Sequence, residues 1–496
     1  MKKIIYIALM ALLPLFLGCQ NNTEQKINKI DPTTVRIAMG AEPESLDLFV
    51  IIAADSEAIF ANVFNALLTY TETGDLINDL ASDIAVNSDN SVFTITLHPN
   101  VLFHNGQSLT SADVVYTFNR YRELRSAYST IAKVEALDEL TVRFTLNGSD
   151  ASFPYLLATT WIAPQGYNNQ ALHPVGSGSY MFTSYTPGRI IELERNPHYF
   201  KTEQELFFKK AHFIVATESL AAVMAVQGGS LDLVSEVDAS SLSASMKSQL
   251  QVVPAPQNLT VLLALNNARP PFNNPLVRQA FNHAVDKQQV LDLVLSGNGV
   301  LLDTGLSSVM VNSYNHDLAN FYPYNRAKAH ELLTKAGYPD GLTVTIRVPS
   351  NYKPHVDAAQ VLAAQLALVG VRVIIEPIEW ALWLEDVHSN RNFEATVIGL
   401  TGKLSPFEQL VRFSPTGFYN FMNYGNPEFD ELLEQARRSP DPKTQNFLLK
   451  QAQQLLADDA VAVFLYDPSW ALVANPWLKG LKTYPIKVFR ISDYSY

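Results

Sequence analysis

The sequence predicts an α/β protein made of two successive architectures. Short alternating strands around one strongly capped helix occupy the first third, and a helix–glycine–strand rhythm runs through the second half. At 496 residues the chain is long enough for about three domains. In chain order, Val35, Ile37 and Met39 alternate with Thr34, Arg36 and Ala38, which predicts a strand, and Gly40 to Asp47 follows as a loop. Phe93, Ile95 and Leu97 alternate with Thr94 and Thr96, and Asn105-Gly106 marks a tight turn. Thr110-Ser111-Ala112-Asp113 has the spacing of a capping box and opens a helix with Val114, Val115, Phe118 and Tyr121 on one side. Thr141 to Leu146 alternates again.

Further on, Asn274-Pro275 places a cap and a first-turn proline before a helix expected to run to about Val294. Asn325 to Ala336 reads as a helix stopped by Gly337, and Leu342 to Val348 as the next strand. Val356 to Val369 reads as a helix stopped by Gly370, and Val371 to Ile375 as the strand after it. Such alternation implies helices layered on a partly parallel sheet.

Composition removes several classes of function. Hydrophobic residues make up 47% and charged residues 17%, an ordinary globular balance. One cysteine excludes a disulfide framework and a thiolate metal site. The formal net charge of −12 leaves no dominant basic surface for nucleic acid.

Residues 1–18 read as an export signal. Lys2 and Lys3 precede an uncharged run from Ile4 to Gly18, too short for a permanent membrane helix. Gly18-Cys19 followed by polar residues resembles a bacterial lipobox, which implies lipidation of Cys19 and a tether over residues 19–31. Removal of residues 1–18 takes two lysines and leaves −14. The expectation is an exported protein, periplasmic or at the cell surface, anchored to the membrane through that lipid.

Catalytic signatures are missing. No GxSxG elbow, HExxH helix or GxxxxGK[ST] loop occurs, and Gly402-Lys403 is followed by Leu404. His98 and His104 flank a turn instead of sharing a helix face, so both read as structural. The sequence therefore supports neither an enzyme nor a resident metal or cofactor.

Several motifs occur in one order: Val101-Leu102-Phe103-His104-Asn105-Gly106, Ser111-Ala112-Asp113-Val114-Val115, Val175-Gly176-Ser177-Gly178-Ser179-Tyr180 and Glu194-Arg195-Asn196-Pro197. Asn266-Asn267, Val277-Arg278-Gln279-Ala280, Ala284-Val285-Asp286-Lys287 and Gly337-Tyr338-Pro339-Asp340-Gly341 continue it. Together they resemble the extracellular solute-binding proteins of peptide and nickel ABC importers, solute-binding family 5, over about residues 35–490. The resemblance implies a periplasmic-binding-protein-like venus flytrap of two lobes with an inserted α+β subdomain. It places a core lobe at 32–48, 173–260 and 470–496, the subdomain at 49–172 and the second lobe at 261–469. Chain crossings near Asn258–Leu265 and Phe464–Leu472 are the expected hinges. It implies a monomer that captures a peptide or another small polar solute and delivers it to an ABC permease with its ATPase. The alternatives are a non-peptide ligand (anionic, sugar or metallophore), or an exported enzyme or interaction lipoprotein on the same fold.

In peptide-binding relatives, an Asp in a G-W-x-x-D segment pairs with the ligand's amino terminus. The matching segment here is Gly399-Leu400-Thr401-Gly402-Lys403, with Leu400 at the Trp and Lys403 at the Asp. Lys403 either meets an anionic ligand group or is a solvated loop lysine, and Asp386 or Glu408 stands near enough in sequence to restore an acidic anchor. Arg412 is a second candidate for an anion, or a lobe-to-lobe ion pair. Trp380, Trp383 and Trp161 offer aromatic faces to a ligand or fill the core. Glu44 and Ser45 occupy the first loop of the core lobe, where relatives touch the ligand backbone. Tyr352 falls near a position where a peptide-binding relative carries an arginine for the ligand carboxylate.

Overall fold

A computed structural model describes residues 31–496 apart from 52–53, 204–205, 416 and 418–419. Cys19, the signal segment 1–18 and all of the tether 19–31 except Asp31 lie outside the described residues.

One mixed sheet of 12 strands runs through both lobes. Ten of them follow one path, in the order 371–378, 342–349, 395–401, 259–265, 462–474, 233–237, 34–39, 210–215, 190–195 and 180–186, and the other two, 251–256 and 299–301, pair with 462–474 beside it. The strands 342–349, 371–378 and 395–401 run parallel, so their carboxyl ends share one edge. The long strand Ala462–Ala474 joins the halves. Its first part pairs with Leu259–Leu265 and its second with Gln251–Pro256. Alternate residues of that strand feed four separate cores. Val463 and Leu465 point to one side of the second lobe and Ala462 and Phe464 to the other. Leu472 and Ala474, then Ala471 and Val473, do the same in the first lobe. Period-two geometry sends successive side chains to opposite faces, and each buried Val, Leu or Phe among them stabilises the fold by roughly 1.5–3 kcal/mol.

The helices 275–284, 287–295, 326–335 and 353–367 cover one face of the second-lobe sheet, and 427–438 and 442–458 the other. A separate four-stranded antiparallel sheet, in the order 81–86, 92–97, 141–146, 131–136, lies against the helix Ser111–Leu124. The capping box at that helix is real: Asp113 accepts from the Thr110 backbone N–H at 2.8 Å and from its hydroxyl at 3.0 Å.

One expected helix divides in two. The run from Pro275 ends at Ala284, Val285 turns into extended backbone, and Asp286 caps a new helix through the Gln289 N–H at 3.1 Å. An internal Asp three residues before a backbone donor competes with helix continuation. The stops at Gly337 and Gly370 occur as expected, with φ of +94° and +86°, a region that favours glycine.

Candidate functional site

A cavity of about 560 Å³ opens where three parts of the chain meet. Glu57, Arg125, Tyr128 and Tyr155 line it from the subdomain, Trp470, Tyr484 and Lys487 from the C-terminal segments, and Thr401, Lys403 and Glu408 from the second lobe. Its size and mixed lining suit a small polar solute.

Lys403 is placed by the loop beyond the strand Ala395–Thr401. Asn258, at φ +54°, is the pivot of that loop. Its backbone carbonyl accepts the Gly402 N–H at 2.6 Å, and its side-chain amide donates to the Lys403 carbonyl at 3.2 Å and the Pro485 carbonyl at 3.0 Å. Gln409 adds a donor to the same Lys403 carbonyl at 2.7 Å. Gly402 is required by space: a Cβ there would stand 1.9 Å from Asn258 Oδ1. The backbone of Lys403 is therefore held while its ammonium makes no ion pair among the described residues.

Glu57, Glu236 and Glu408 share the cavity wall with it, and Lys487 pairs with Glu236 at 2.8 Å. Burial pushes the Glu57 carboxyl above its usual range, and the Arg125 and Lys403 charges act against the rise. Burial likewise raises Glu408, again opposed by Lys403. A desolvated carboxylate that has lost water gains most from a directional cationic partner.

The other expected site residues fall in several places. Thr401 lines the cavity, and Arg412 donates to its carbonyl at 2.8 Å without lining the cavity itself. Gly399 and Leu400 are strand residues paired with Val261 and Thr260, also outside the lining. Glu44 and Ser45 line a separate surface pocket; Glu44 accepts from the Ser56 hydroxyl, and Ser45 from the Asp47 N–H at 3.0 Å. Trp380 and Trp383 stack at 5.1 Å and 5°, with Tyr352 edge-on to Trp380 at 5.4 Å. These aromatics follow the carboxyl ends of their strands on the same sheet edge as Lys403, but they do not line the cavity. Trp383 is 3% exposed and donates to Thr396 Oγ1 at 3.0 Å, so core packing is what its ring does here. Asp386 is already engaged by Arg347. Of the two acidic anchors considered, only Glu408 reaches the cavity. Among the described residues no group of His, Cys, Asp and Glu could hold a metal ion, and no helix is long and apolar enough to cross a membrane.

Sequence reasoning missed Glu57, Arg125, Tyr155, Trp470, Tyr484 and Lys487. They come from two stretches, 57–155 and 470–487, that are more than 300 residues apart, so no local spacing marks them. His104, by contrast, is structural as read: burial lowers it to about 4, and its ring nitrogens meet the Gly178 carbonyl and the Gly176 N–H.

A two-lobed α/β molecule with a solute-sized cavity where its parts converge defines a class, the solute receptors. The comparisons are specific about the family. The family described as "Bacterial extracellular solute-binding proteins, family 5 Middle" matches residues 75–420, and the chain belongs to it. The glutathione-binding protein GsiB of Pectobacterium atrosepticum is 28% identical over 484 residues, covering 92% of this chain and 93% of that protein. Di/tripeptide-binding protein 1 of Pseudomonas aeruginosa is 27% identical over 485 residues, covering 89% of each. The solved structure of HbpA2 from Haemophilus parasuis superposes with a TM-score of 0.84 at 22% identity, over 93% of this chain and 99% of that one. The protein is accordingly the substrate-binding component of an ABC importer. Its relatives are solute-binding proteins, not enzymes.

Proposed function

We propose that the captured solute is a short peptide or peptide-like compound, bound with a carboxylate against Lys403 and an ammonium against Glu57 and Glu408. The observation that carries this reading is the placement of Lys403, Glu57 and Glu408 in the wall of a single cavity. Desolvation raises both carboxyls, so the ammonium of a zwitterionic ligand head offsets a cost these groups already bear. The glutathione-binding and di/tripeptide-binding relatives support a ligand of that chemistry.

In this reading the lobes divide at the boundaries expected from sequence, with Asn258–Leu265 and Phe464–Leu472 as hinges, and ligand bridging the cleft favours the closed state. The chain acts as a monomer outside the cytoplasm, held to the membrane through a lipidated Cys19, and hands its solute to a permease and its ATPase.

Titration calorimetry with a panel of di- and tripeptides and glutathione tests the assignment. Lys403→Met is expected to weaken a bound peptide by about tenfold or more, the value of one charge-assisted contact. Unchanged affinity would remove Lys403 from the site.

A further inference from the structure

A second cavity, of about 320 Å³, adjoins the first and shares Glu57, Tyr484 and Lys487 with its wall. It lies between the subdomain and the C-terminal segment, and Trp161, stacked on Phe64 at 5.8 Å, forms part of its lining. Four basic residues line it, and three are committed. Lys201 pairs with Asp79 at 2.5 Å, Lys482 with Glu72 at 2.9 Å, and Lys487 with Glu236 at 2.8 Å.

Arg490 is different. Its guanidinium carbon lies 4.3 Å from the Tyr484 ring centre and 4.7 Å from that of Tyr70, and one N–H donates to the Thr69 hydroxyl at 3.0 Å. Among the described residues it makes no ion pair. Two acids stand nearby and both are engaged: Glu72 pairs with Lys482 at 2.9 Å, and Asp493 accepts from the Tyr484 hydroxyl at 2.6 Å and lies 3.9 Å from Lys482. Aromatic faces fix a guanidinium in orientation without neutralising it, and its planar fork matches a carboxylate in a bidentate manner.

Resting on the peptide reading above, we propose that Arg490 receives a second ligand carboxylate. The solute class is then a small peptide-like dicarboxylate, with its amino-acid head at Lys403, Glu57 and Glu408 and its far carboxylate in the adjoining cavity. Such a compound reaches past the residues the two cavities share, Glu57, Tyr484 and Lys487 among them, and a ligand with a neutral far end leaves Arg490 without a carboxylate partner.

Glutathione, its glycyl amide and trialanine, titrated by calorimetry into the full chain, test this. The wild type should bind glutathione about tenfold more tightly than the glycyl amide. Arg490→Gln should weaken glutathione by about tenfold and the amide no further, with Arg490→Lys in between. Lys403→Met should weaken glutathione and the amide by the same factor. Equal binding of glutathione and its amide by the wild type overturns the Arg490 assignment and leaves the peptide reading standing. So does an equal loss for both ligands in Arg490→Gln. The acid–amide comparison needs no variant, so misfolding of Arg490→Gln cannot hide the answer. Binding of neither glutathione nor trialanine by the wild type overturns the peptide reading and this inference together.

Discussion

Gly402 shows how tightly the candidate site is built at the scale of single residues. Its α-carbon sits against the Asn258 side chain, which in turn holds the carbonyls of Lys403 and Pro485. Gly402→Ala must push that amide away, and overpacking of this kind costs about 1–3 kcal/mol. The loss should appear chiefly as displacement of the Lys403 loop: peptide affinity falls about tenfold or more while the far-ultraviolet circular dichroism is retained. Wild-type affinity in Gly402→Ala would show that Asn258 does not position Lys403. Residues of this kind were only partly legible in the sequence. Lys403 stood out because it occupies one defined place in a contiguous motif. Leu400 and Gly399 belong to the same motif, yet their strand register turns them to Thr260 and Val261. Glu57 and Arg490 carried no signal, because their chemistry arises only when distant segments meet at the two cavities.

Among the elements, the strand Ala462–Ala474 does the most. Where its ladder passes from one partner strand to the other, Asp467 accepts the N–H groups of Gln257 at 3.1 Å and Leu259 at 3.2 Å, and the Ser307 hydroxyl. Burial raises the Asp467 carboxyl to about 6, and these donors oppose the rise. The folded-state value is above the ordinary 3.8, so the native protein binds the extra proton between about pH 4 and 6. Stability from this group therefore grows as pH falls through that window and is lost as rising pH ionises the buried carboxyl. Asp467→Asn keeps an acceptor for both backbone donors and cannot ionise. Its unfolding free energy relative to wild type should rise by about 2 kcal/mol between pH 4.5 and 7.5, measured by denaturant titration. A pH-independent difference would show that Asp467 titrates normally. Local elements such as the Thr110 capping box and the glycine stops were readable because their causes lie within a few residues. The division at Asp286 was not, since Asn274-Pro275 and the apolar run after it read equally well as one longer helix.

For the whole molecule, a single sheet carries four cores and leaves a polar cavity where subdomain, C-terminal segment and second lobe converge. That arrangement lets a bound solute contribute contacts to both lobes at once, which is what gives it differential affinity for a closed state. The net charge of −12 says little about the ligand, because the charges that matter are the few inside the cavities. Native mass spectrometry of the exported protein, purified without refolding, tests whether Lys403 captures a small peptide-like solute. A fraction carrying a small peptide-like mass, released on denaturation and absent from Lys403→Met, is the expected result. A wild-type chain that flies bare, and gains no mass from a peptide mixture, would contradict it.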